Sequence, residues 1–165
     1  MKTKLLIIGA GPFGLGLAAY ANDQGIDYVI AGRPMEFWKK NMPDGMYLRS
    51  ASDWSLDPTG KASIMNYLTK LGKKPAEVEP LSRDFYLEYC QWFQEQNGIQ
   101  PLPFYVTKLE KTNDHFVANL ENGEVIEAEK VVVAIGMGYF KNQPSELTAI
   151  LPAGRYSHTC DAVEF

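Results

Sequence analysis

Two unbroken apolar runs bracket most of the chain. "KLLIIGA" (residues 4–10) and "KVVVAIG" (130–136) show no alternation with polar positions, the pattern of strands buried on both faces of a parallel sheet. Directly after the first run, Pro12 to Asn22 reads as a helix. Its small residues Gly14, Gly16, Ala18, Ala19 and Ala21 permit close packing on that sheet, and Gly25 stops it. "DYVIAG" (27–32) is the next strand. From 36 to 60, prolines, glycines and aromatics follow no period, which predicts an irregular excursion. Trp38 and Trp54 make it too apolar for disorder, and Trp54 reads as a packing anchor for the loop.

Helical spacing returns in "ASIMNYLTKLG" (62–72), where Ile64, Leu68 and Leu71 share a face and Gly72 stops the helix. A second helix follows in "SRDFYLEYCQWFQEQNG" (82–98). Phe85, Tyr89, Trp92 and Phe93 form its stripe, Ser82 its cap and Asn97-Gly98 its stop. These two make a helical insertion over 61–98. The last third is strand-like: "FYVTKLEKT" (104–112), then "HFVANLENGEVIEAE" (115–129) turned at Asn122-Gly123, then the second apolar run. Together they predict a β-meander and a return strand over 104–136. The expected fold class is α/β: a Rossmann-type parallel sheet with a crossing β-meander and a helical insertion.

Composition narrows the picture. With 165 residues, 45% hydrophobic and 12% aromatic, one ordinary core is within reach, so a single domain over 1–165 is expected. A net charge of −4 with both signs interspersed indicates neither a nucleic-acid footprint nor a membrane patch. Cys90 and Cys160 form no C-x-x-C pair, which removes a zinc knuckle and a redox dithiol and fits a cytoplasmic location. The N-terminal apolar run is short, and no segment approaches the roughly 20 residues that span a bilayer.

The chemistry lies in "IIGAGPFG". Gly9, Gly11 and Gly14 spell G-x-G-x-x-G directly after a buried strand and at the opening of a helix, the context that makes this spacing a dinucleotide site. Gly9 serves the tight turn, Gly11 lets a pyrophosphate approach the backbone, and Gly14 allows close helix–strand packing. Pro12 has no N–H but suits the first helical position, so the phosphates fall to the Phe13 and Gly14 amides and the helix dipole. About 20 residues on, a ribose-binding acid is expected. The chain has Gly32 and Arg33 there instead. Read locally, Gly32 leaves room for added bulk and Arg33 pairs with a 2′-phosphate, which favours NADP. The alternative lays Arg33 over the adenine face or the sheet as a solvated side chain. No tyrosine has a lysine four residues later, which disfavours a short-chain reductase. His115 and His158 lack a complete metal-ligand set, so no metal site is expected. No catalytic residue is assigned.

The glycine motif at 9–14, "FWKKNMPDGMYLRS" at 37–50, and "VVVAIG" at 131–136 followed by Pro144 together resemble the two-dinucleotide-binding-domain flavoproteins. The likeness is closest to the flavin-containing monooxygenase and pyridine-nucleotide oxidoreductase branch. It implies an FAD cofactor whose pyrophosphate lies on the glycine motif, and Ala134 to Gly136 passing the cofactor. It also maps an adenine contact onto Val106, a kept family tryptophan onto Trp38, and a flavin-side segment onto Leu48, Arg49 and Ser50. His158 corresponds to an element preceding a second domain. The likeness further implies NAD(P)H as donor from that domain, residues 150–165 as the connection to it, and this chain as the FAD-binding portion of a longer flavin-dependent oxidoreductase. Weak FAD retention and inactivity alone are then expected, with a homodimer through surface left by missing domains. The alternative is an NADP(H)-binding or nucleotide-sensing module without catalysis of its own. The substrate is unknown.

Overall fold

The computed structural model describes residues 1–161. Its elements are β1 (Lys2–Ile8), α1 (Pro12–Asp23), β2 (Tyr28–Ala31), α2 (Glu36–Lys40), α3 (Ile64–Leu71), α4 (Arg83–Gln96), β3 (Val106–Lys111), β4 (Phe116–Leu120), β5 (Val125–Val133) and α5 (Ser145–Thr148). They build one five-stranded sheet in the order β2-β1-β5-β4-β3. β1 is parallel to both β2 and β5, and the remaining pairs are antiparallel.

Beyond β2, Leu102 forms a single parallel bridge with Ala31. Its amide donates to the Ile30 carbonyl and its carbonyl accepts from the Gly32 amide, both at 2.9 Å. With this segment the parallel half has the spatial order of a mononucleotide-binding unit, third strand, second, first, then the crossover to the other side. Pro101 and Pro103 flank Leu102 and remove ladder donors, which holds the pairing to one bridge and hides the strand from the sequence pattern.

Side chains alternate across the sheet and feed two cores. Ile7 and Ile30 face the helical layer, with Leu15, Ala18 and Ala19 of α1 and the aromatics Tyr67, Tyr86, Tyr89 and Phe93. Leu6, Ile8 and Ala31 face the other way, against Ala118, Leu120, Ile126 and Ala128. The meander is therefore hydrogen-bonded to β1 through β5 and also folds over one face of β1 and β2. The two runs at 115–129 and 130–136 share a strand, since β5 passes unbroken from the hairpin into the parallel ladder. β1 starts at Lys2 and ends at Ile8, two residues earlier than the apolar run, because Gly9 already turns.

The stretch from 36 to 60 is less irregular than its composition predicts: α2 opens it. Its remainder is held by side-chain bonds. The Asp57 carboxylate accepts from the Ala62 amide and from the Thr59 amide and hydroxyl at 2.8 and 2.7 Å. The Ser52 amide donates to Glu79 at 2.9 Å. Trp54 is not the anchor expected, being 76% exposed. Trp38 takes that part, its ring centroid 4.8 Å from that of Tyr86.

Both insertion helices start on serine caps, Ser63 accepting from the Asn66 amide and Ser82 from the Phe85 amide. After α5 the chain runs without helix or strand to Asp161. The end of the expected connection, residues 162–165, lies outside the described residues. No helix among the described residues is long and apolar enough to cross a membrane.

Candidate functional site

The carboxyl ends of β1, β2 and β5 converge on the glycine turn, the position where open α/β sheets take their ligands. Gly9 leaves β1 at φ +113°, a region closed to most side chains. Its amide donates to Ala31 and the Ala134 amide donates to Ile8, both at 2.7 Å, so the turn is stitched to both neighbouring strands. A Cβ on Gly9 would overlap the Ala134 carbonyl, and one on Gly14 would overlap the Gly9 carbonyl. Around Gly11 the opposite holds, with no atom within 4 Å of where its Cβ would stand. Gly11 caps α1 without a side-chain bond, Pro12 follows, and the first turn has no acid. The Phe13 and Gly14 amides thus have no intrahelical acceptor, and they sit at the positive end of the helix dipole. Phe13 is 87% exposed beside them.

Gly32 corrects the reading that it leaves room for bulk. It is buried, at φ +139°, and a Cβ there would lie 3.0 Å from the Ala10 amide nitrogen. An acid is absent because the second strand ends hard against the glycine turn. Met35 continues that contact: its amide donates to the Ala10 carbonyl at 3.0 Å and its backbone is left-handed at φ 54°. Such a backbone is costly for a non-glycine side chain. Here it is held by the buried Met35 side chain in the helical core.

Arg33 is engaged on three sides. Its guanidinium lies 4.5 Å from the centroid of the Tyr105 ring and pairs with Glu121 at 2.8 Å and Glu36 at 3.4 Å. Glu36 also accepts from Lys40 and from the Tyr105 hydroxyl. Burial raises the Glu36 carboxyl, but the Lys40 and Arg33 bonds outweigh it and leave the group below its usual range. For Arg33, desolvation opposes its charge while Glu121 and Glu36 favour it more, a net rise. Sequence reading missed Met35, Glu36, Tyr105 and Glu121. Glu36 lies just past the expected acidic position and offers a signal in hindsight; Glu121 offers none.

The other predicted residues divide. Ala134 lies against Gly9, with Gly136 two residues on. Val106 opens β3 and packs beside Ala31 and Leu102 on the meander side. Trp38 packs in the helical core with Leu48. The 46–50 segment is tied to the entry of α4, the Leu48 amide donating to Leu81 at 2.7 Å, and Arg49 is exposed. His115 stands at the far end of the sheet, 4.0 Å from Glu127, in a cleft of about 410 Å³ lined also by Lys2 and Asp27. The His158 Nδ1 accepts from the Cys160 amide at 3.0 Å. No group of three metal-ligating side chains occurs among the described residues. Several large apolar side chains after β5 are exposed, Met137, Tyr139, Phe140 and Ile150 among them.

Comparison with known proteins places this geometry. Residues 6–147 match the profile of the pyridine nucleotide-disulphide oxidoreductase family. The chain is similar to the thioredoxin reductase of Helicobacter pylori, 29% identical over 133 residues, which are 79% of this chain and 34% of that protein. Among solved structures it is similar to the bacillithiol disulfide reductase of Staphylococcus aureus, at 27% identity and TM-score 0.64, over 82% of this chain and 39% of that one. It also shares the fold of a flavin-containing monooxygenase from Stenotrophomonas maltophilia, at 21% identity and TM-score 0.71, over 87% and 41%. The chain spans about a third to two fifths of the length of these relatives.

Proposed function

Since the chain belongs to the pyridine nucleotide-disulphide oxidoreductase family, we propose that it is the FAD-binding portion of a flavin-dependent oxidoreductase, with NAD(P)H as the electron donor of the whole enzyme. The observation that carries this reading is the open face of Gly11 beside acceptor-free helix amides. That is a cradle a Cβ would partly fill, and its donors are of the kind a pyrophosphate requires.

In this reading Gly11 admits the pyrophosphate to backbone distance, and the Phe13 and Gly14 amides donate to it. Gly9 and Gly14 keep the turn tight and the helix close. Ala134 and Gly136 wall the cofactor on the β5 side, and Gly32 with Val106 borders its adenosine half. When bound, the flavin supplies the redox chemistry, taking reducing equivalents from NAD(P)H and passing them to an acceptor. The protein's part is position and the exclusion of water. Trp38, Leu48, Arg49 and Ser50 contribute to the flavin side of the cofactor site in this reading.

Titration with FAD, FMN, NADPH and NADH, followed by intrinsic tryptophan fluorescence, tests it. FAD should give a saturable change. FMN, which lacks the pyrophosphate and adenosine, should bind far more weakly. Tight NADPH binding with no FAD response would overturn the assignment.

A further inference from the structure

The two edges of the sheet are finished differently. Beyond β2, Leu102 pairs with Ala31 between two prolines that withhold ladder donors. At the other end β3 is the outermost strand, and no strand among the described residues lies beyond it. Its pairing with β4 fixes which backbone groups face out. The Thr112 amide donates to the His115 carbonyl at 2.8 Å, and the register continues as Lys111↔Phe116, Glu110↔Val117, Leu109↔Ala118 and Lys108↔Asn119. Antiparallel pairs alternate between bonded and non-bonded. Glu110 therefore turns its amide and carbonyl to β4, while Leu109 and Lys111 turn theirs outward. Side chains alternate as well. Leu109 shares a face with its opposite residue, the buried Ala118, and is 38% exposed. Lys108 and Glu110 stand on the other face, ion-paired to each other at 2.9 Å, and both are more than half exposed.

From this edge we infer that β3 is an interface for a second copy of the chain, two β3 strands pairing antiparallel about a two-fold axis at Leu109 and joining the sheets edge to edge. The charges select that register. With Leu109 opposite its own copy, the two residues exchange their outward amides and carbonyls, and each Lys108 faces the partner subunit's Glu110. That pair falls at a non-hydrogen-bonded position, where side chains approach most closely. The ion pair within each chain becomes part of a ring of four alternating charges, and the two Leu109 side chains cover each other. Neighbouring two-fold registers that use the same outward groups set Lys108 against Lys108, Glu110 against Glu110 or Lys111 against Lys111. Like charges directly opposite disfavour pairing. A lysine on an edge strand ordinarily blocks association; here the glutamate two residues on answers it. The register shift between Val106 and Lys108 ends the straight stretch, so the contact is short and the dimer weak. The pairing uses no residue assigned to the cofactor, so it stands apart from the functional reading above.

The test is analytical ultracentrifugation of the wild-type chain and of Lys108→Glu and Glu110→Lys variants up to about 1 mM protein, each variant checked for an unchanged melting profile. The wild type should show a monomer–dimer equilibrium with a Kd on the order of 100 µM. Each single variant sets like charges across the axis and should weaken self-association at least about tenfold. Mixing the two variants should restore a dimer of wild-type strength, because the acids of one then face the lysines of the other. The charge swap Lys108→Glu/Glu110→Lys should likewise restore self-association. A wild type that stays monomeric, or a mixture that associates no better than its components, overturns the proposal. Association unchanged in both single variants also overturns it and assigns the contact to another surface, such as the exposed apolar side chains after β5. Should a reversal disturb the fold, salt reads the same charges in the wild type. Sodium chloride at about 0.5 M should weaken the dimer, and a dimer unchanged or strengthened there refutes the register.

Discussion

The backbone of Gly14 lies so close to the Gly9 carbonyl that no Cβ fits between them. This contact fixes how α1 leaves β1. Gly11, between them in the same motif, touches nothing on its side-chain face. The motif thus divides into packing positions and an open position. Gly14→Ala should destabilise the chain by roughly 3 kcal/mol, because backbone, not a flexible side chain, must give way. Gly11→Ala should stay within about 0.5 kcal/mol of wild type while weakening FAD or ADP-ribose about tenfold. Thermal melts and calorimetric titration of the two variants check this.

Acid should loosen the loop between α2 and α3. Burial raises the Asp57 carboxyl, but the bonds from the Ala62 amide and from Thr59 outweigh it and hold the group below its ordinary 3.8. Bonds from Lys61, Ser52 and Lys2 lower Asp23, Glu79 and Glu127 in the same way. A carboxylate depressed in the folded state adds stability that is fully present above its unfolded value and is lost as pH falls through the folded one. The melting temperature should therefore hold from about pH 7 to about pH 5 and drop below about pH 4. Asp57→Asn should cost about 1–2 kcal/mol at neutral pH and flatten part of that acid slope in a pH series of melts.

The two cysteines should react at different rates. Burial pushes the Cys90 thiol up to about 12, while Cys160 lies in the half-exposed segment after α5. Near pH 8, Cys90 holds on the order of 10⁴ less thiolate than thiol. A chromogenic disulfide should titrate one thiol promptly in the native protein and the second only on unfolding. Two equally fast thiols would contradict the burial of α4 against the sheet.

Within that helical core, the Tyr89 hydroxyl donates to the Ala62 carbonyl at 3.0 Å. This bond ties α4 to the chain entering α3. Tyr89→Phe keeps the ring but strands a carbonyl, and should cost about 1 kcal/mol in chemical denaturation with an unchanged denaturant slope.

The glycine turn was legible in the sequence because each of its contacts is local: Gly9 and Gly14 meet within one turn of chain, and the strand before them is apolar throughout. The buried stripe of α4 was legible for the same reason, since period 3.6 places Tyr89, Trp92 and Phe93 together. The far end of the site was not. Arg33 acquires its partners from the meander, and nothing in "AGRP" announces an acid 88 residues away. Gly32 looked like vacant space because sequence shows a missing side chain, not the Ala10 amide that occupies its place. Leu102 disappeared between two prolines, although its single bridge completes the strand order. Trp54 is exposed instead of anchoring the loop, a difference hidden because an aperiodic loop gives no face by which to tell a buried ring from an exposed one.

The central claim is that a dinucleotide lies across the glycine turn, and amide chemical-shift mapping by nuclear magnetic resonance tests it most directly. On titration with FAD, the account predicts that the largest shifts fall on Gly9 to Gly14, on Gly32 and Arg33, and on Ala134 to Gly136. Shifts centred instead on Lys2, Asp27, His115 and Glu127 at the opposite end of the sheet, or no saturable shifts at the turn, would contradict it.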